Sequence, residues 1–290
     1  MTAPGFTGAG LDRADHLRLD PAQVMALRAR GGAKLLRLDG LDPVLDEAGG
    51  LLWSKRDTES ETIFLGLEDG APLFAPLVRA DIGRRAWSVF GLLGRMSPRD
   101  AAIWGAARSL NEWHNRHPFC ALCGAASAPF RAGWGRKCPA CAAEHFPRVD
   151  PVVIMLAEHQ GRVLVGRQHQ YPPGRYSALA GFVEPGEAIE EAVARELYEE
   201  AGIVVRDVRY VASQPWPFPG SLMIACLARA DDDALRLDPT EIEAAMWVGR
   251  EDVAAALAGA ADAPFLAPPP FAIAHTLLRR WLDENEGESE

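Results

Sequence analysis

One short segment, residues 181–203, constrains the fold more than any other part of this 290-residue chain. Its apolar residues Ile189, Val193 and Leu197 recur every four positions, which gives an α-helix a single apolar stripe. Acidic residues come early in this stretch, where the helix dipole favours negative charge. Gly202 suits the left-handed residue just past a helix end. The segment therefore predicts an amphipathic helix that packs one side on a core and stops at Gly202.

Three carboxylates lie on the polar part of that helix. Glu196, Glu199 and Glu200 are spaced i, i+3, i+4, so they share one face and repel one another unless a positive charge compensates. A hard divalent cation supplies that charge, because Mg²⁺ prefers oxygen ligands and bridges to substrate phosphates. The glutamates therefore indicate a metal site. An exposed acidic helix without a metal is the alternative interpretation.

The spacing of the whole segment adds a family resemblance. It resembles the Nudix box, G-x5-E-x7-R-E-U-x-E-E-x-G-U with U apolar, and every defined position matches. Those positions are occupied by Gly181, Glu187, Arg195, Glu196, Leu197, Glu199, Glu200, Gly202 and Ile203. The resemblance implies a metal-dependent hydrolase whose catalytic domain is an α/β/α sandwich.

Four of the five cysteines form two pairs, Cys120-x2-Cys123 and Cys138-x2-Cys141. Paired C-x2-C knuckles at this separation fit a tetrahedral zinc site with four cysteine ligands. Because the protein supplies all four ligands, no coordination position stays open, and we expect a structural zinc. Two disulfides are the alternative.

The remaining candidate ligands near this site are interpreted differently. His117 and His145 flank the cysteine pairs, but four sulfurs already complete the coordination shell, so we predict that neither histidine binds the zinc. Cys226 lies in an apolar run with the character of a strand and is predicted to be a buried free thiol.

The compartment follows from the absence of targeting signals. The first ten residues lack a basic start and an apolar core, and the longest apolar run, residues 222–228, is too short to span a membrane. We therefore expect a cytoplasmic protein without a membrane partner, where zinc is favoured over disulfides. The net charge of −10 argues against general nucleic-acid binding. Residues 108–148 carry six basic side chains against Glu112 and Glu144, which we interpret as the solvated surface of a small ribbon and which could also steer a polyphosphate or an RNA 5′ end.

A proline-rich stretch, residues 213–221, bears on the substrate. Its three alternating prolines predict an extended, stiff loop. The rings of Trp216 and Phe218 could stack on a base or a nicotinamide, while a packed structural loop is the alternative. The stretch resembles the S-Q-P-W-P-F-P-x-S signature of NADH pyrophosphatases, which also carry a zinc ribbon just before the Nudix domain. The resemblance implies a substrate-binding loop made of Gln214, Pro215, Trp216, Pro217, Phe218, Pro219, Gly220 and Ser221.

The resemblance also implies roles for single residues. Metal ligands in such enzymes correspond here to Glu196, Glu200, the carbonyl of Ala180, and Glu241, with Glu199 as a further candidate. Glu199 or Glu200 would accept the proton. From helix spacing alone, we expect Arg195 to brace the box through a carboxylate such as Glu191, one turn back. Pocket residues correspond to Phe146, where many members have tyrosine, and to Ala274 in a segment whose family serine is lost.

The chain as a whole predicts an α/β protein with three parts. We expect an N-terminal α/β domain over residues 1–115, a zinc ribbon over residues 116–147 and a Nudix domain over residues 148–290. Residues 1 to about 20 are expected to be flexible, residues 98–114 and 271–283 helical, and the acidic tail from Glu284 onward frayed. A strand pair is expected to turn at Gln160-Gly161.

The predicted reaction is metal-dependent hydrolysis of the pyrophosphate in NADH and NAD⁺ to the nicotinamide mononucleotide and AMP, with Mg²⁺ or Mn²⁺ as the catalytic cofactor. The same chemistry would remove an NAD cap from RNA and leave a 5′-monophosphate end. The resemblance further implies a homodimer. Two alternatives are a Nudix hydrolase for ADP-ribose or dinucleoside polyphosphates and a non-catalytic zinc-ribbon nucleic-acid adaptor; the first should lack the 214–221 signature and the second the box carboxylates.

Overall fold

The computed structural model describes residues 4–55, 61–79 and 88–284, which divide into two compact units. The C-terminal unit comprises Asp150–Gln214 and Ser221–Glu290, together with the start of the chain through Gly5. The N-terminal unit comprises Phe6–Val149 and, from far along the sequence, Pro215–Gly220.

A mixed six-stranded sheet forms the centre of the C-terminal unit. Its strands, in chain order, are β10 (Asp150–His159), β11 (Arg162–Arg167), β12 (Leu179–Phe182), β13 (Val205–Trp216), β14 (Ser221–Ala230) and β15 (Ala244–Val248). They lie in the order β13-β14-β10-β11-β15, and β12 pairs antiparallel with β10. The predicted turn between β10 and β11 is present, since Gln160 and Gly161 both adopt positive φ, 48° and 73°.

Helices cover both faces of this sheet, and the side-chain alternation of β10 explains why. Val153 and Met155 point to one face, where α4 (Ile189–Ala201) packs. Ile154 and Leu156 point to the other, where α5 (Arg250–Ala258) and α6 (Ile273–Asp283) pack. The predicted α/β/α sandwich is confirmed.

Helix α4 follows the predicted apolar stripe with one difference. Val193 and Leu197 are fully buried, but Ile189 is partly exposed, and Ala192 takes its place in the core. The helix ends as predicted, because Gly202 has φ 73° and its N–H donates to the carbonyls of Leu197 and Tyr198.

The N-terminal unit contains a four-stranded sheet and a three-stranded one. Its helices are α1 (Pro21–Ala29), α2 (Ser88–Leu93) and α3 (Pro98–Arg116). The larger sheet has the order β4-β1-β6-β5, with β1 at Lys34–Leu36, β4 at Trp53–Lys55, β5 at Thr62–Glu68 and β6 at Ala71–Pro76; a separate hairpin joins β2 (Leu38–Asp39) to β3 (Asp42–Pro43). The smaller sheet belongs to the cysteine-rich region and consists of β7 (Ala128–Phe130), β8 (Gly135–Lys137) and β9 (Glu144–His145).

The start of the chain is more ordered than the sequence predicted. The ring of Phe6 is buried, Asp12 forms an antiparallel bridge with Leu67 in β5, and Asp15–Leu19 is a 3-10 helix. The prediction of a flexible start is therefore wrong from residue 4 onward, because tertiary contacts hold a segment that has no periodic pattern of its own. Of the predicted frayed tail, Glu284 is described and pairs with Arg209, and the residues after it lie outside the described part of the chain.

Across the stretches that the structure describes, none of the helices has both the length and the hydropathy required to cross a bilayer.

Candidate active site

Helix α4 and strand β12 meet at Gly181 and Glu196. A Cβ atom added to Gly181 would lie 1.8 Å from the carboxyl carbon of Glu196, far inside van der Waals contact. Gly181 is therefore required by the close approach of a carboxylate, which is a constraint that its backbone conformation alone does not reveal. The contact fixes Glu196 against the strand that carries Ala180.

Glu200 is the most unusual acidic side chain of the site. It is 2% exposed, and its Oε2 atom has no hydrogen-bond partner among the described residues. Burial raises the pKa of Glu200 to about 8, and the negative charges of Glu196, Glu241 and Glu199 add to the shift. Burial also raises the pKa of Glu196. A cluster of hard oxygen donors that repel each other in a buried place fits a divalent cation such as Mg²⁺ or Mn²⁺.

Glu241 reaches this cluster from the loop between β14 and β15. Its charge contributes to the raised pKa of both Glu196 and Glu200. The loop is fastened to the end of α4, because the N–H of Asp238 donates to the carbonyl of Glu200 at 3.0 Å. The structure thus places Glu241 close enough to the glutamates of α4 for their charges to interact, so the predicted acidic residues come together from two segments of the chain.

Arg195 is held by carboxylates, though not by the predicted one. Its guanidinium makes a bidentate pair with Glu187, through Nε to Oε1 at 2.6 Å and Nη2 to Oε2 at 2.9 Å. Nη1 donates to Glu196 and to Glu199, both at 2.9 Å. The expected brace through Glu191 is wrong, because Glu191 accepts a hydrogen bond from the N–H of Ala188 and caps the helix instead.

Glu187, Glu199 and Glu200 differ in whether they pair with Arg195. Its hydrogen bonds lower the pKa of Glu187 to about 2, so Glu187 stays ionised. Glu199 is exposed and shares Arg195 with Glu196. Among the residues that the structure describes, none gives Glu200 a cationic partner, which makes it the carboxylate that depends most on a bound cation.

One aromatic residue near the cluster was missed by the sequence analysis. Burial and the charge of Glu200 raise the pKa of Tyr171, and its hydroxyl hydrogen-bonds to Ser177. Arg167 shapes this loop by donating to the carbonyls of Tyr171 and Pro172 and to Glu243. The segment between β11 and β12 has no helical or strand periodicity, so only its Tyr-Pro-Pro turn composition could have drawn attention to it.

Gln214, the glutamine of the proline-rich signature, makes all its side-chain hydrogen bonds within the C-terminal unit. It is 0% exposed. Its Nε2 donates to the carbonyls of Gly5 and Phe271 at 2.9 and 2.7 Å, and its Oε1 accepts from the N–H of Ile273 at 2.9 Å. Every polar atom of the amide is therefore used by the protein, and a framework role is favoured over direct contact with a substrate.

The aromatic residues of the signature differ from each other. Strand β13 runs to Trp216, and a tight turn replaces the predicted extended loop, with the N–H of Phe218 donating to the carbonyl of Trp216 at 2.9 Å. Phe218 is only 4% exposed, whereas Trp216 is half-buried and Pro215 is exposed. Phe218 therefore fits the alternative of a packed structural loop, whereas Trp216 retains solvent-accessible surface.

The other predicted pocket residues are also placed. Ser221 is buried at the start of β14, and Ala274 is buried in the first turn of α6. Phe146 is 50% exposed in the N-terminal unit, with its ring centroid 5.9 Å from that of Phe130 and the guanidinium of Arg131 5.8 Å away. A substrate-binding role for these three residues stays a prediction.

The four predicted zinc ligands form one cluster, in which all Sγ atoms lie within 4.8 Å of one another. Cys120 and Cys141 are 3.6 Å apart, and Cys123 and Cys138 are 3.5 Å apart. These separations are far longer than a disulfide bond of about 2.05 Å and approach the edge of a tetrahedron with Zn–S bonds of about 2.3 Å. The disulfide alternative is not supported.

The neighbouring histidines have other partners. His145 lies with its Nε2 atom 3.2 Å from Cys120 Sγ, in hydrogen-bond contact with a sulfur. His117 contacts the carbonyl of Trp113 through Nδ1 at 2.9 Å. Cys226, the fifth cysteine, is a buried free thiol, as predicted.

Comparison with known families covers nearly the whole chain. The model of the NUDIX domain matches residues 147–267, that of the NADH pyrophosphatase zinc ribbon domain matches residues 115–146, and that of the NADH pyrophosphatase-like rudimentary NUDIX domain matches residues 22–113. The last match concerns the region in which the sequence analysis found no motif.

Three proteins illustrate the similarity of this chain to known proteins. The NAD-capped RNA hydrolase NudC of Mycobacterium bovis is 39% identical over 302 residues, which cover 97% of this chain and 95% of the relative. The NAD-capped RNA hydrolase NUDT12 of Homo sapiens is 44% identical over 201 residues, covering 66% of this chain and 44% of the relative. A solved NUDIX hydrolase structure from Nitrosomonas europaea has a TM-score of 0.46 at 21% identity and covers 58% of this chain and 92% of that one.

The complete glutamate box, the four-cysteine ribbon and the near full-length similarity lead to one conclusion. The chain belongs to the Nudix hydrolase family, in the group that carries an NADH pyrophosphatase zinc ribbon and an N-terminal rudimentary Nudix domain.

Proposed function

We propose that this protein hydrolyses the pyrophosphate bond of NADH and NAD⁺ and removes NAD caps from RNA 5′ ends. The observation that carries the proposal is the buried pair Glu196 and Glu200, with an Oε2 atom of Glu200 that no described group of the protein satisfies. The relatives named NAD-capped RNA hydrolases support the choice of substrate. An accessible Trp216 in the signature loop is consistent with a dinucleotide.

The metal-binding residues in this proposal are Glu196, Glu200, Glu241 and the carbonyl of Ala180, with Glu199 as a further ligand. When bound, Mg²⁺ or Mn²⁺ neutralises phosphate charge and lowers the pKa of water. Arg195 keeps the Glu196 carboxylate oriented through the 2.9 Å hydrogen bond and balances the charge of Glu187 and Glu199.

In the reaction, water attacks one phosphorus of the pyrophosphate, and the bond from that phosphorus to the bridging oxygen breaks. The departing monophosphate keeps the bridging oxygen, so the products are the nicotinamide mononucleotide and either AMP or 5′-monophosphate RNA. The proton lost by the water goes to Glu200 or Glu199. Glu200 is the buried candidate and Glu199 the exposed one.

Substrate recognition is assigned to accessible residues. Trp216 and Phe146 present rings that could stack on a base or nicotinamide, while Gln214 and Phe218 act from within the framework of the protein. We further propose that the four-cysteine cluster holds a structural zinc, that residues 1–115, 116–147 and 148–290 act as separate domains, and that the protein works as a cytoplasmic homodimer.

A competition assay tests the proposed function. Purified protein with Mg²⁺ or Mn²⁺ would be given NADH, NAD⁺, ADP-ribose and an NAD-capped RNA together, and the products would be separated by chromatography. We expect the nicotinamide mononucleotide and AMP or 5′-monophosphate RNA, with the three nicotinamide substrates consumed faster than ADP-ribose. Preferred hydrolysis of ADP-ribose would favour the alternative Nudix activity, and inactivity on all four would favour the adaptor.

A second candidate, the zinc-ribbon adaptor, has no observation in its favour, because each box carboxylate is present.

A further inference from the structure

The residues Pro215–Gly220, called the proline loop below, join two strands of the C-terminal sheet. By their contacts, however, they belong to the compact N-terminal unit. The chemistry assigned to the glutamate box does not require this arrangement. The contacts that the loop makes within the N-terminal unit therefore need a separate explanation.

Arg108 makes a polar contact with this loop. The residue is buried on α3, and its Nε donates to the carbonyl of Pro217 at 3.1 Å. Its guanidinium carbon lies 4.8 Å from the ring centroid of Phe218, within cation–π range. The charge is balanced by Asp42 at 3.3 Å and Glu112 at 3.5 Å. Arg108 thus contacts the loop both by a hydrogen bond to a backbone carbonyl and by a cation–π contact with an aromatic ring.

Aromatic side chains of the N-terminal unit hold the two rings of the loop. Phe6 meets Trp216 edge to face with centroids 5.7 Å apart, and Phe90 stacks on Trp216 at 6.0 Å. Trp104 meets Phe218 edge to face at 6.1 Å. These are geometries that stabilise aromatic pairs beyond simple burial. The orientation of Trp216 is consequently set by residues that lie far from it in sequence.

Gly105 shows how closely α3 approaches the loop. A Cβ atom at this position would lie 3.0 Å from Cδ1 of Phe6 and 3.5 Å from Cγ of Pro217. A glycine in the interior of a helix is unfavourable compared with alanine. Its presence here is explained by the tight packing of Phe6 and the loop against the helix.

We propose that Arg108 positions the proline loop and thereby fixes the orientation of the Trp216 ring that recognises the dinucleotide. Arg108 is a positioning residue, since it acts through the loop and contacts no reacting atom. The inference rests on the proposed function, because it assigns the loop to recognition of the nicotinamide-containing substrate.

The test compares Arg108→Lys with Arg116→Ala. Lysine keeps the charge beside Asp42 and Glu112 but cannot donate to Pro217 and both carboxylates together. Arg116 is the matched control, because it pairs with Glu112 at 2.7 Å from the same helix and is exposed. We expect Arg108→Lys to raise KM for NADH about fivefold or more with kcat within about twofold, and Arg116→Ala to leave both unchanged.

Two further measurements separate positioning from general damage. Hydrogen exchange should accelerate in peptides of residues 215–221 in Arg108→Lys and stay unchanged in those of α4, where a loss of overall stability would affect both. In a double-mutant cycle, Arg108→Lys should add little to Trp216→Ala, because both changes remove the same presented ring. Should Arg108→Lys fail to fold, Gly105→Ala takes its place with the same expected rise in KM.

An unchanged KM and unchanged loop exchange in a folded variant would overturn the inference, as would fully additive effects with Trp216→Ala. Those results would leave the proposed function intact if the wild type hydrolyses NADH. If the wild type hydrolyses none of the nicotinamide substrates, the proposed function fails, and the recognition role assigned to the loop fails with it. Faster hydrogen exchange of residues 215–221 in Arg108→Lys would then still show that Arg108 positions the loop.

Discussion

Two buried glutamates, one in each unit, have opposite surroundings. Glu112 on α3 is 5% exposed and lies between Arg108, at 3.5 Å, and Arg116, at 2.7 Å. Glu200 on α4 is 2% exposed and lies among carboxylates, with no cationic partner in the described part of the chain. Both side chains point from a long helix into the protein, so helix type and burial do not distinguish them.

The difference teaches that the sign of the neighbouring charge separates a structural acid from a functional one. A buried carboxylate with arginine partners is stable when ionised, and removing it leaves uncompensated positive charge. Ionising a buried carboxylate among other carboxylates costs free energy, and a bound cation would offset that cost. The predictions below test this contrast from the largest expected effect to the smallest.

The largest effect is expected from Glu200→Gln. The amide is nearly isosteric but carries no charge, so kcat for NADH should fall by at least ~10²-fold while the protein stays folded. Near pH 8 and without added Mg²⁺ or Mn²⁺, the variant should unfold at a higher temperature than the wild type, because a neutral amide avoids the cost of burying an ionised carboxylate among other carboxylates. Steady-state kinetics and thermal unfolding give the two values.

Glu112→Gln is the matched comparison, with stability as its main readout. It should lower the free energy of unfolding by roughly 3 kcal/mol, because the buried Arg108 loses a counter-charge, and the remaining folded protein should keep metal-dependent turnover. A Glu200→Gln variant with near wild-type turnover at saturating Mg²⁺ would refute the contrast, as would a Glu112→Gln variant that is inactive but fully stable.

Removal of a zinc ligand should be the next largest change and should affect stability before chemistry. Cys138→Ser should reduce the bound zinc and lower the unfolding temperature, since metal binding to such a site is part of the folding free energy. Metal analysis and thermal unfolding measure the two effects. Cys226→Ser serves as the control, because this buried thiol lies outside the cluster. Wild-type protein that contains no zinc and has its thiols oxidised in pairs would contradict the ribbon assignment.

The pH dependence of stability should have opposite signs at two sites. The folded-state pKa of Glu200 is raised to about 8, so without divalent metal the folded protein binds more protons than the unfolded chain above pH ~4.5. This contribution to stability is fully present below the unfolded pKa and is lost as pH rises toward 8. The loss should be on the order of a few kcal/mol and should disappear in Glu200→Gln. Chemical denaturation at several pH values measures it.

Titration of His114 should change the folding stability with pH in the opposite direction to that of Glu200. It is buried, its Nδ1 lies 3.1 Å from Arg136, and Nε2 lies 2.8 Å from the carbonyl of Gly133. Burial, followed by the charge of Arg136, lowers its pKa to about 4. The unfolded chain then binds the extra proton below pH ~6.5, so stability should fall as pH decreases through that window, by roughly 1 kcal/mol near pH 5.5. A pH-independent stability between 5.5 and 7, measured while zinc stays bound, would contradict this.

An effect of similar size is expected at Phe146, whose exposed ring is predicted to stack on substrate. Phe146→Ala should cost about 1–3 kcal/mol in kcat/KM for NADH, the range for base–aromatic stacking. The loss should be smaller for ADP-ribose, which has no nicotinamide ring to engage. Steady-state kinetics of the variant and the wild type with NADH and with ADP-ribose measure the two losses in kcat/KM. Equal losses would mean that Phe146 only packs against neighbours such as Phe130.

Sequence by itself determined the catalytic chemistry of this protein. The spacing of Glu196, Glu199 and Glu200 on one helix face, the turn at Gly202 and the Cys120–Cys141 pattern are local features, fixed by helix periodicity and ligand spacing. They were therefore readable without coordinates, and the α/β/α sandwich followed from the family resemblance that the box carries. The partner of Arg195 was predicted wrongly, because one-turn spacing suggested Glu191 whereas Glu187 reaches it from outside the helix.

Tertiary structure decided whatever depends on residues distant in sequence. It ordered the start of the chain through Phe6 and Asp12, placed Tyr171 beside Glu200, buried Gln214 against Gly5 and Phe271, and set Arg108 on the proline loop. None of these contacts has a periodic signature, since each joins segments that the chain brings together only after folding. The need for glycine at position 181 has the same origin, because only the packed helix presents Glu196 to it.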